Sequence, residues 1–456
     1  MLIHDTLSGK KEDLEKVADN KKLRLFVCGP TVYDYIHIGN ARTYIVFDNL
    51  VRYLRALGVK VFYLQNITDI DNKIIRRAAE ENTNAKSLAK KYEKYYHEDE
   101  KALGIKSVTK YARATAHIKQ IVRQIQTLIA KGHAYKIDDG YYFDISTFPE
   151  YGKLAKRTVN QAEDSVSRID ENVNKKNKGD FALWKFKKEN EPSWKTPIGE
   201  GRPGWHIEDT AITERWFGPQ YDIHGGAVDL KFPHHEAEIA QQEAASGKKP
   251  MVKVWMHSGF LVVGGEKMSK SFGNFVTVKD FLKQYPVEVL RYLVAAHHYR
   301  SPLDYSEDLA RQAKNTLNNL SQFLARLEMA GGKTENGAVL EKAERDFSAA
   351  MENDFNTPAA LAVIFSLINE NQKQVWELSR KSAKMLKKFI KNKLELFGIG
   401  LKSVKIPLKI RRLASKRELF RTNKQFIQSD VLRKEIEALG YIVEDTPRGP
   451  FLWPRE

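Results

Sequence analysis

Cysteine is the scarcest residue of this chain, with one copy, Cys28, in 456 residues. A single cysteine excludes an internal disulfide and is typical of proteins from reducing compartments. The sequence also lacks an uninterrupted run of about 18 apolar residues, which a membrane-spanning helix requires. Its first residues lack the basic start and the apolar run of a signal peptide. We therefore expect a cytoplasmic protein with no membrane partner.

Acidic residues are outnumbered by basic ones. The chain has 75 Lys and Arg against 58 Asp and Glu, for a formal net charge of +17. A positive field of this size attracts polyanions, so nucleic acid is the partner that the charge favours. A surface that is merely kept soluble by its charge is the alternative that composition leaves open. The hydrophobic content of 42% is sufficient for a sizeable core without disulfides.

The first part of the chain shows the alternation of an α/β fold. Residues 22–28 and 59–66 have the composition of buried strands, and residues 40–57 carry apolar side chains at helical spacing. A strand–helix–strand unit of this kind places its strands parallel, with a right-handed crossover. Ligands bind at the carboxyl ends of such strands. Three polar candidates lie at or just after these ends: Cys28, His37 and Thr68.

The remainder of the chain divides by pattern. Residues 86–132 are charged, with apolar residues at helical spacing, and residues 140–200 contain short aromatic strands that we interpret as an insertion. The α/β pattern returns at Gly201. From about residue 280 onward the chain is almost wholly helical in pattern.

Two short motifs, far apart in the sequence, carry a nucleotide-binding signature. The first is His37-Ile38-Gly39-Asn40, and the second is Lys267-Met268-Ser269-Lys270-Ser271. The four-residue motif is weak evidence alone, whereas the lysine motif is specific. In this order the pair resembles the class I aminoacyl-tRNA synthetases. Asn40 stands where the class motif usually ends in a second histidine, and its amide can still donate to a phosphate oxygen.

The resemblance implies amino acid activation, in which a carboxylate attacks the α-phosphorus of ATP and expels pyrophosphate. The carboxylate is already ionised at neutral pH, so catalysis depends on positioning and on charge rather than on a general base. A helix N-terminus favours phosphate, and a glycine there lets the nucleotide approach the backbone closely. We expect four catalytic residues, namely His37, Asn40, Lys267 and Lys270. The same four residues and Gly39 are expected to bind ATP, which carries Mg²⁺.

A second constellation lies in the run of residues 232–238, which opens a helix. His234 and Glu238 are four residues apart, so both project from one helix face. That spacing suits two ligands of one metal ion. A solvated polar helix face is the alternative interpretation of the same pattern.

The run of residues 201–209, together with residues 28–31 and 66–71, resembles the cysteinyl-tRNA synthetase family. In that family a zinc ion is held by two cysteines, a histidine and a glutamate. The matching positions in this sequence are Cys28, Asp209, His234 and Glu238. Asp209 therefore departs from the family pattern, which has cysteine at that position. A carboxylate ligates zinc at about 2.0–2.2 Å, so we expect one zinc ion to bind, with weaker selectivity against iron, manganese or cobalt.

The same resemblance implies how the substrate is chosen. A thiol becomes a good zinc ligand on deprotonation, whereas the hydroxyl of serine is a hard donor that ionises poorly. Metal binding of the substrate thiolate would then separate L-cysteine from serine and alanine without an editing site. The residues expected to border the substrate are Gly29, Thr31, Thr68, Trp205, His224 and Asp229.

The family also implies an architecture, namely a Rossmann-like catalytic domain with an inserted connective domain, then a helical bundle and a small C-terminal domain. We expect the two halves of the catalytic domain at residues 1–116 and 201–255, around a connective insertion at 117–200. A stem-contact segment with the lysine motif would follow at 256–310, the helical bundle at 311–400, and an anticodon-binding domain at 401–456. The expected partner is tRNA(Cys), and the expected state is a monomer.

The C-terminal residues are the least informative. Lys409, Arg411 and Arg412 are candidates for phosphate contacts, and Trp453 for stacking on a base, although a solvated basic face is the usual meaning of such lysines and arginines.

Three alternatives remain open at this point. A related ligase could adenylate cysteine and pass it to the amine of an amino sugar, although the basic helical half and residues 444–447 count against a small acceptor. A noncatalytic RNA-binding relative is disfavoured by the intact lysine motif. A change of amino acid through Asp209 is disfavoured because Cys28, His234 and Glu238 are all present.

Overall fold

A computed structural model describes residues 1–19, 21–157, 172–268 and 274–455, and of Lys267 it describes only the backbone. The chain forms two compact units. The first comprises Met1–Val287, Val294–Ser306 and Met351–Thr357. The second comprises Glu288–Leu293, Glu307–Ala350 and Pro358–Glu456.

The strands of the described residues are numbered in chain order. They are β1 (Leu2–His4), β2 (Lys11–Asp13), β3 (Lys22–Val27), β4 (Lys60–Ile67), β5 (Lys110–Arg113), β6 (Ala134–Ile137), β7 (Gly140–Phe143), β8 (Phe181–Phe186), β9 (Gly201–Pro203), β10 (Tyr221–Ala227), β11 (Val252–Ser258), β12 (Leu261–Val263), β13 (Glu266–Lys267), β14 (Leu303–Tyr305), β15 (Tyr441–Thr446) and β16 (Gly449–Pro454).

The α-helices of the same residues are α1 (Leu14–Val17), α2 (Ile38–Ala56), α3 (Asn72–Glu80), α4 (Ala85–Ala102), α5 (Ile118–Ala130), α6 (Ile207–Phe217), α7 (His234–Ser246), α8 (Val278–Gln284), α9 (Val287–Ala295), α10 (Glu307–Met329), α11 (Gly337–Glu352), α12 (Thr357–Gln372), α13 (Arg380–Leu396), α14 (Leu408–Thr422) and α15 (Phe426–Ala438). No helix among the described residues is both long enough and apolar enough to cross a bilayer.

The centre of the first unit is a parallel sheet, which confirms the α/β prediction. Its described strands lie in the order β11-β10-β3-β4-β5, and every neighbouring pair is parallel. The strand–helix–strand unit predicted from the start of the chain is β3-α2-β4. The register that pairs Val27 with Gln65 brings the carboxyl ends of these two strands to the same edge of the sheet.

Two parts of the secondary structure differ from the sequence-based expectation. Residues 86–132 were expected to be helical, but strand β5 (Lys110–Arg113) interrupts them at the edge of the sheet. The region after residue 280 contains strand β14 and the hairpin β15-β16 as well as helices. These strands are three to six residues long. Such short strands are stabilised by pairing with other strands, and this pairing cannot be predicted from the periodicity of the local sequence.

The insertion expected at residues 140–200 is an antiparallel sheet in the order β6-β7-β8-β9. The second unit consists of helices together with the hairpin β15-β16. In that unit the indole of Trp453 is 4% exposed, and its Nε1–H donates to Asn318 Oδ1 at 3.0 Å. The expectation that Trp453 stacks on a base is therefore wrong, because the ring is part of the core.

Helix α2 is fixed by a buried arginine. Arg42 is 1% exposed, and its guanidinium donates to the backbone carbonyls of Phe260, His298 and Ser301. Burial lowers the pKa of Arg42 to about 10. We expect Arg42→Met to lower the free energy of unfolding by about 3 kcal/mol, because it leaves buried carbonyls without donors. Urea denaturation followed by circular dichroism measures the free energy of unfolding. The control is Arg76→Ala at an exposed position, which should change that free energy by less than about 0.5 kcal/mol.

Candidate metal centre and nucleotide site

The carboxyl edge of the parallel sheet gathers the polar residues that the sequence singled out. Cys28 directly follows β3, and its backbone N–H donates to Gly225 O at 3.1 Å, which anchors it beside β10. Asp209 lies in the first turn of α6, and His234 is the first residue of α7, with Glu238 one turn later. All four side chains are buried.

The four predicted metal ligands meet around one point. Cys28 Sγ lies 3.4 Å from Asp209 Oδ2 and 3.9 Å from Glu238 Oε1. His234 Nε2 lies 3.1 Å from each of the same two oxygens. Donors around one tetrahedral zinc ion are separated by about 3.3–3.8 Å, as follows from metal–ligand distances of about 2.0–2.3 Å. The observed separations of 3.1–3.9 Å are close to the edges of such a site.

The electrostatics of this cluster also fit a divalent cation. Burial, and then the charge of the Asp209 carboxylate, raise the pKa values of both the Cys28 thiol and the Glu238 carboxyl well above their ordinary values. Asp209 Oδ1 is buried and has no hydrogen-bond partner among the described residues. Anionic donors crowded away from water are costly unless a cation compensates them. Zinc, with sulfur, nitrogen and oxygen donors, suits this set.

Two residues that sequence reasoning did not assign to this centre orient His234. His206 Nδ1 lies 2.9 Å from His234 Nδ1, so the other nitrogen of His234 is directed at the cluster. The ring of Trp205 stacks on that of His234, with centroids 4.3 Å apart and an interplanar angle of 20°. Trp205, expected to border the substrate, thus lies directly against a predicted ligand.

A second pair of histidines faces the same thiol. Cys28 Sγ lies 3.5 Å from His224 Nε2 and 3.1 Å from His235 Nε2. Burial lowers the pKa values of both imidazoles, so both are neutral. His224 was expected near the substrate, whereas His235 was not predicted. The pair His234-His235 gave no signal for it, because adjacent residues on a helix project in different directions and the i, i+4 spacing selects only His234 and Glu238.

The remaining substrate candidates lie at the ends of β3 and β4. Gly29 N–H donates to Asn66 Oδ1 at 2.5 Å, and a Cβ at Gly29 would lie 1.8 Å from Asn66 O. The close approach of Asn66 O therefore requires glycine at position 29. Thr31 and Thr68 form a parallel bridge, and Thr68 is buried. Asp229, by contrast, is exposed in the 3₁₀ turn that follows β10.

Glu208 is a further buried carboxyl that the sequence did not reveal as special. It is 1% exposed. Burial raises its pKa well above the ordinary value, and Asp209 raises it further, whereas a hydrogen bond with Thr68 lowers it. It therefore connects the end of β4 with the metal-ligand cluster.

The first nucleotide motif forms the N-terminus of helix α2. His37 is the N-cap, and its Nδ1 accepts from Gly39 N–H at 3.1 Å and from Asn40 N–H at 3.3 Å. In the opposite direction, Asn40 Oδ1 accepts a hydrogen bond from His37 N–H at 3.3 Å. Because Nδ1 is an acceptor, the neutral ring carries its proton on Nε2 and can donate it to an anion. The helix begins at Ile38, two residues before the prediction, because this capping box extends it.

The second motif meets the first. A Cβ at Gly39 would lie 2.8 Å from both the His37 ring and Met268 Cε, so glycine is required where the motifs touch. Just beyond the lysine motif, Ile38 N–H donates to Val276 O at 3.0 Å and Val278 N–H donates to Ile36 O at 3.1 Å. The backbone of Lys267 lies in β13, whereas Ser269, Lys270 and Ser271 are outside the described residues.

Metal binding at this centre should strengthen as the pH rises. Without a cation, the raised pKa values keep the Cys28 thiol and the Glu238 carboxyl protonated, and binding displaces those protons. Below each pKa, the association constant should increase about tenfold per pH unit for each proton displaced. Chelator competition at pH 6, 7 and 8, corrected for protonation of the chelator, measures the slope. An affinity that stays constant or falls over this range would contradict the assignment.

Comparisons with known proteins agree with this fold and site. Residues 14–315 match the family described as the class I (C) tRNA synthetase catalytic domain, and residues 346–402 match the DALR domain. Among solved structures, Mycobacterium tuberculosis methionyl-tRNA synthetase in complex with methionyl-adenylate has a TM-score of 0.60 at 17% identity, over 83% of this chain and 90% of that one. A ternary complex of Agrobacterium radiobacter LeuRS has a TM-score of 0.64 at 11% identity, over 84% and 85%.

The fold, the paired motifs and the family match define a class I aminoacyl-tRNA synthetase, which confirms the predicted fold class. The cysteine–tRNA ligase of Thermococcus gammatolerans is 43% identical over 99% of this chain and 98% of its own length. That of Caldicellulosiruptor saccharolyticus is 42% identical over 98% of both chains. The chain belongs to the cysteine–tRNA ligase family.

Proposed function

We propose that this protein activates L-cysteine with ATP and Mg²⁺ and transfers the cysteinyl group to the 3′-terminal adenosine of tRNA(Cys). The observation that carries the proposal is the buried cluster of Cys28, Asp209, His234 and Glu238. It lies at the carboxyl ends of the same sheet strands from which helix α2, with its capped N-terminus, departs. Selection of a thiol and binding of phosphate are thus available on one edge of the first unit.

The amino acid is selected at the cluster. A zinc ion held by the four donors would bind a thiolate far better than a serine hydroxyl, which is the selectivity that a cysteine enzyme needs. The residues around it do the positioning. Trp205 supports His234 by stacking. Gly29 and Thr68 fix the backbone at the ends of β3 and β4. We propose that Thr31, His224 and Asp229 complete the substrate pocket.

Adenylation follows from charge placed around the phosphates. We assign to His37 Nε2–H and to the amide of Asn40 the role of donating to phosphate oxygens at the start of α2, where the helix dipole favours negative charge. Gly39 keeps the approach to this helix end open. Lys267 and Lys270 neutralise the charge of the leaving pyrophosphate. The carboxylate of the amino acid is the nucleophile and needs no base.

The second unit supplies a surface for RNA. Lys409, Arg412 and Lys416 are exposed at helical spacing on α14, with Arg411 exposed beside them. Phe426, at the start of α15, is 60% exposed and is a better candidate than the buried Trp453 for stacking on a base. A basic helical unit and a DALR match favour tRNA over an amino sugar as acceptor. We retain the six-part domain division, a monomer, and a cytoplasmic location as parts of this proposal.

The decisive experiment is ATP–pyrophosphate exchange with a panel of amino acids that includes serine and alanine. Exchange should depend on cysteine, and transfer to tRNA(Cys) should follow. Strong exchange with another amino acid would overturn the specificity, and the absence of exchange with every amino acid would favour a noncatalytic RNA-binding protein. Exchange with cysteine but transfer to an amino sugar would establish the alternative acceptor.

A further inference from the structure

The metal centre contains more donors than one tetrahedral ion uses. The described residues place six donors together, and two sets of four within them have ligand atoms that all lie within 4.8 Å of one another. One set is Cys28, Asp209, His234 and Glu238. The other is Cys28, His224, His235 and Glu238. The two sets share the Cys28 thiol and the Glu238 carboxylate. Asp209 and His234 complete the first set, whereas His224 and His235 complete the second.

The second set is oriented as metal ligands are. His235 Nδ1 lies 2.9 Å from His257 Nε2, and His257 Nδ1 lies 2.9 Å from Thr6 Oγ1, so this hydrogen-bond chain leaves His235 Nε2 facing the thiol. His224 Nδ1 lies 2.7 Å from the hydroxyl of Tyr221, which likewise directs Nε2 inward. An outer hydrogen bond that fixes ring and tautomer is the usual support of a metal-bound histidine.

The packing around these rings holds them in place. His224 stacks on Trp255, with centroids 4.3 Å apart and an interplanar angle of 24°. Both histidines are 0% exposed. Neither ring can turn away from the thiol without breaking its outer hydrogen bond, so the second set is held in place as well.

We propose that this chain holds its metal at either of two overlapping positions, with His224 and His235 as ligands of the second. The first set offers one nitrogen and two carboxylate donors beside the sulfur, and the second offers two nitrogens and one carboxylate. Imidazole suits zinc, whereas carboxylate suits manganese. The second position is therefore the richer in nitrogen donors, and it remains available to zinc when Asp209 does not ligate. Asp209 is then a ligand that the centre can lose.

This inference needs a metal at the centre, but it does not need cysteine to be the substrate. The test uses the full chain, stripped with a chelator and reloaded with Co²⁺ in a buffer free of thiols. Because Cys28 is the single cysteine of the chain, any sulfur-to-cobalt charge-transfer absorption reports its coordination alone. Cobalt content per chain is measured by mass spectrometry on the native protein, and affinity by titration.

The variants are Asp209→Ala, His235→Ala and the double variant. Each single variant should keep about one cobalt per chain and the charge-transfer band, with affinity lowered less than about tenfold, since one complete set remains. The double variant breaks both sets, and its affinity for Co²⁺ should fall at least about 100-fold. Their d–d bands should differ, because the donor atoms differ.

Two results would overturn the proposal. One is a loss in Asp209→Ala as large as in the double variant, and the other is a double variant that binds as tightly as Asp209→Ala. Asp209→Asn, which keeps the side-chain shape, repeats the test if the alanine variant does not fold. Cysteine-dependent ATP–pyrophosphate exchange, measured separately on the unaltered zinc-loaded protein, tests the proposed function. Its result does not depend on which of the two donor sets binds the metal.

Discussion

Cys28→Ser is expected to lose the metal and the enzymatic activity together. The substitution is nearly isosteric, but a serine hydroxyl ionises poorly and is a weak ligand for zinc. Cys28 belongs to both donor sets, so no alternative set can compensate. We expect zinc content to fall below about one tenth of an equivalent and cysteine-dependent pyrophosphate exchange to fall at least about 10³-fold.

Asp209→Cys is the matched control for that variant. It changes another ligand of the same cluster, 3.4 Å from the Cys28 sulfur, but replaces one anionic donor with another. The control should keep one zinc per chain and exchange with cysteine. Circular dichroism should show that both variants are folded. If Cys28→Ser retained stoichiometric metal and normal exchange, the assignment of the cluster would be wrong.

His37→Asn is expected to separate the structural role of His37 from its catalytic role. Asparagine is a favourable N-cap, so its carbonyl oxygen can accept the N–H groups of Gly39 and Asn40 as the imidazole does. The free energy of unfolding should change by less than about 0.5 kcal/mol. The donor at Nε2 is lost, and exchange should fall about 10²–10³-fold, mainly in kcat, because the donor acts where phosphate charge develops.

His37→Ala is the comparison for this variant. It removes the cap as well as the ring and should cost about 1 kcal/mol of stability in addition to the same loss of exchange. Steady-state pyrophosphate exchange and urea denaturation together give both quantities. If His37→Ala kept full exchange, His37 would serve the helix alone and would have no part in the chemistry.

The sequence was sufficient for those features that short-range rules determine. Strands β3 and β4 and helix α2 followed from periodicity, and His234 and Glu238 followed from their i, i+4 spacing. The carboxyl-end rule for parallel sheets predicted that Cys28, His37 and Thr68 share one edge of the sheet. The identity of Asp209 as a partner came from resemblance, and the structure brings it within contact of the thiol.

Features that depend on tertiary packing were not accessible in this way. His235 on α7 and His257 on β11 meet only in the folded chain, and nothing local to either residue indicates the contact. The need for glycine at position 29 comes from the backbone of Asn66, on the neighbouring strand. Trp453 was a candidate for stacking on a base, yet the folded chain buries its ring.

The lone sulfur of the centre has a consequence for oxidative damage. Where two thiolates share a metal, a two-electron oxidant can join them as a disulfide and release the ion. In this chain the neighbours of Cys28 Sγ are a carboxylate oxygen and two imidazole nitrogens, and the sequence contains no other thiol with which an internal disulfide could form. Within the chain, oxidation of Cys28 therefore leads to sulfenic and then sulfinic acid, and the sulfur is buried against that attack. With oxygen in place of the second sulfur, the centre cannot release its metal by forming a disulfide between two of its own ligands.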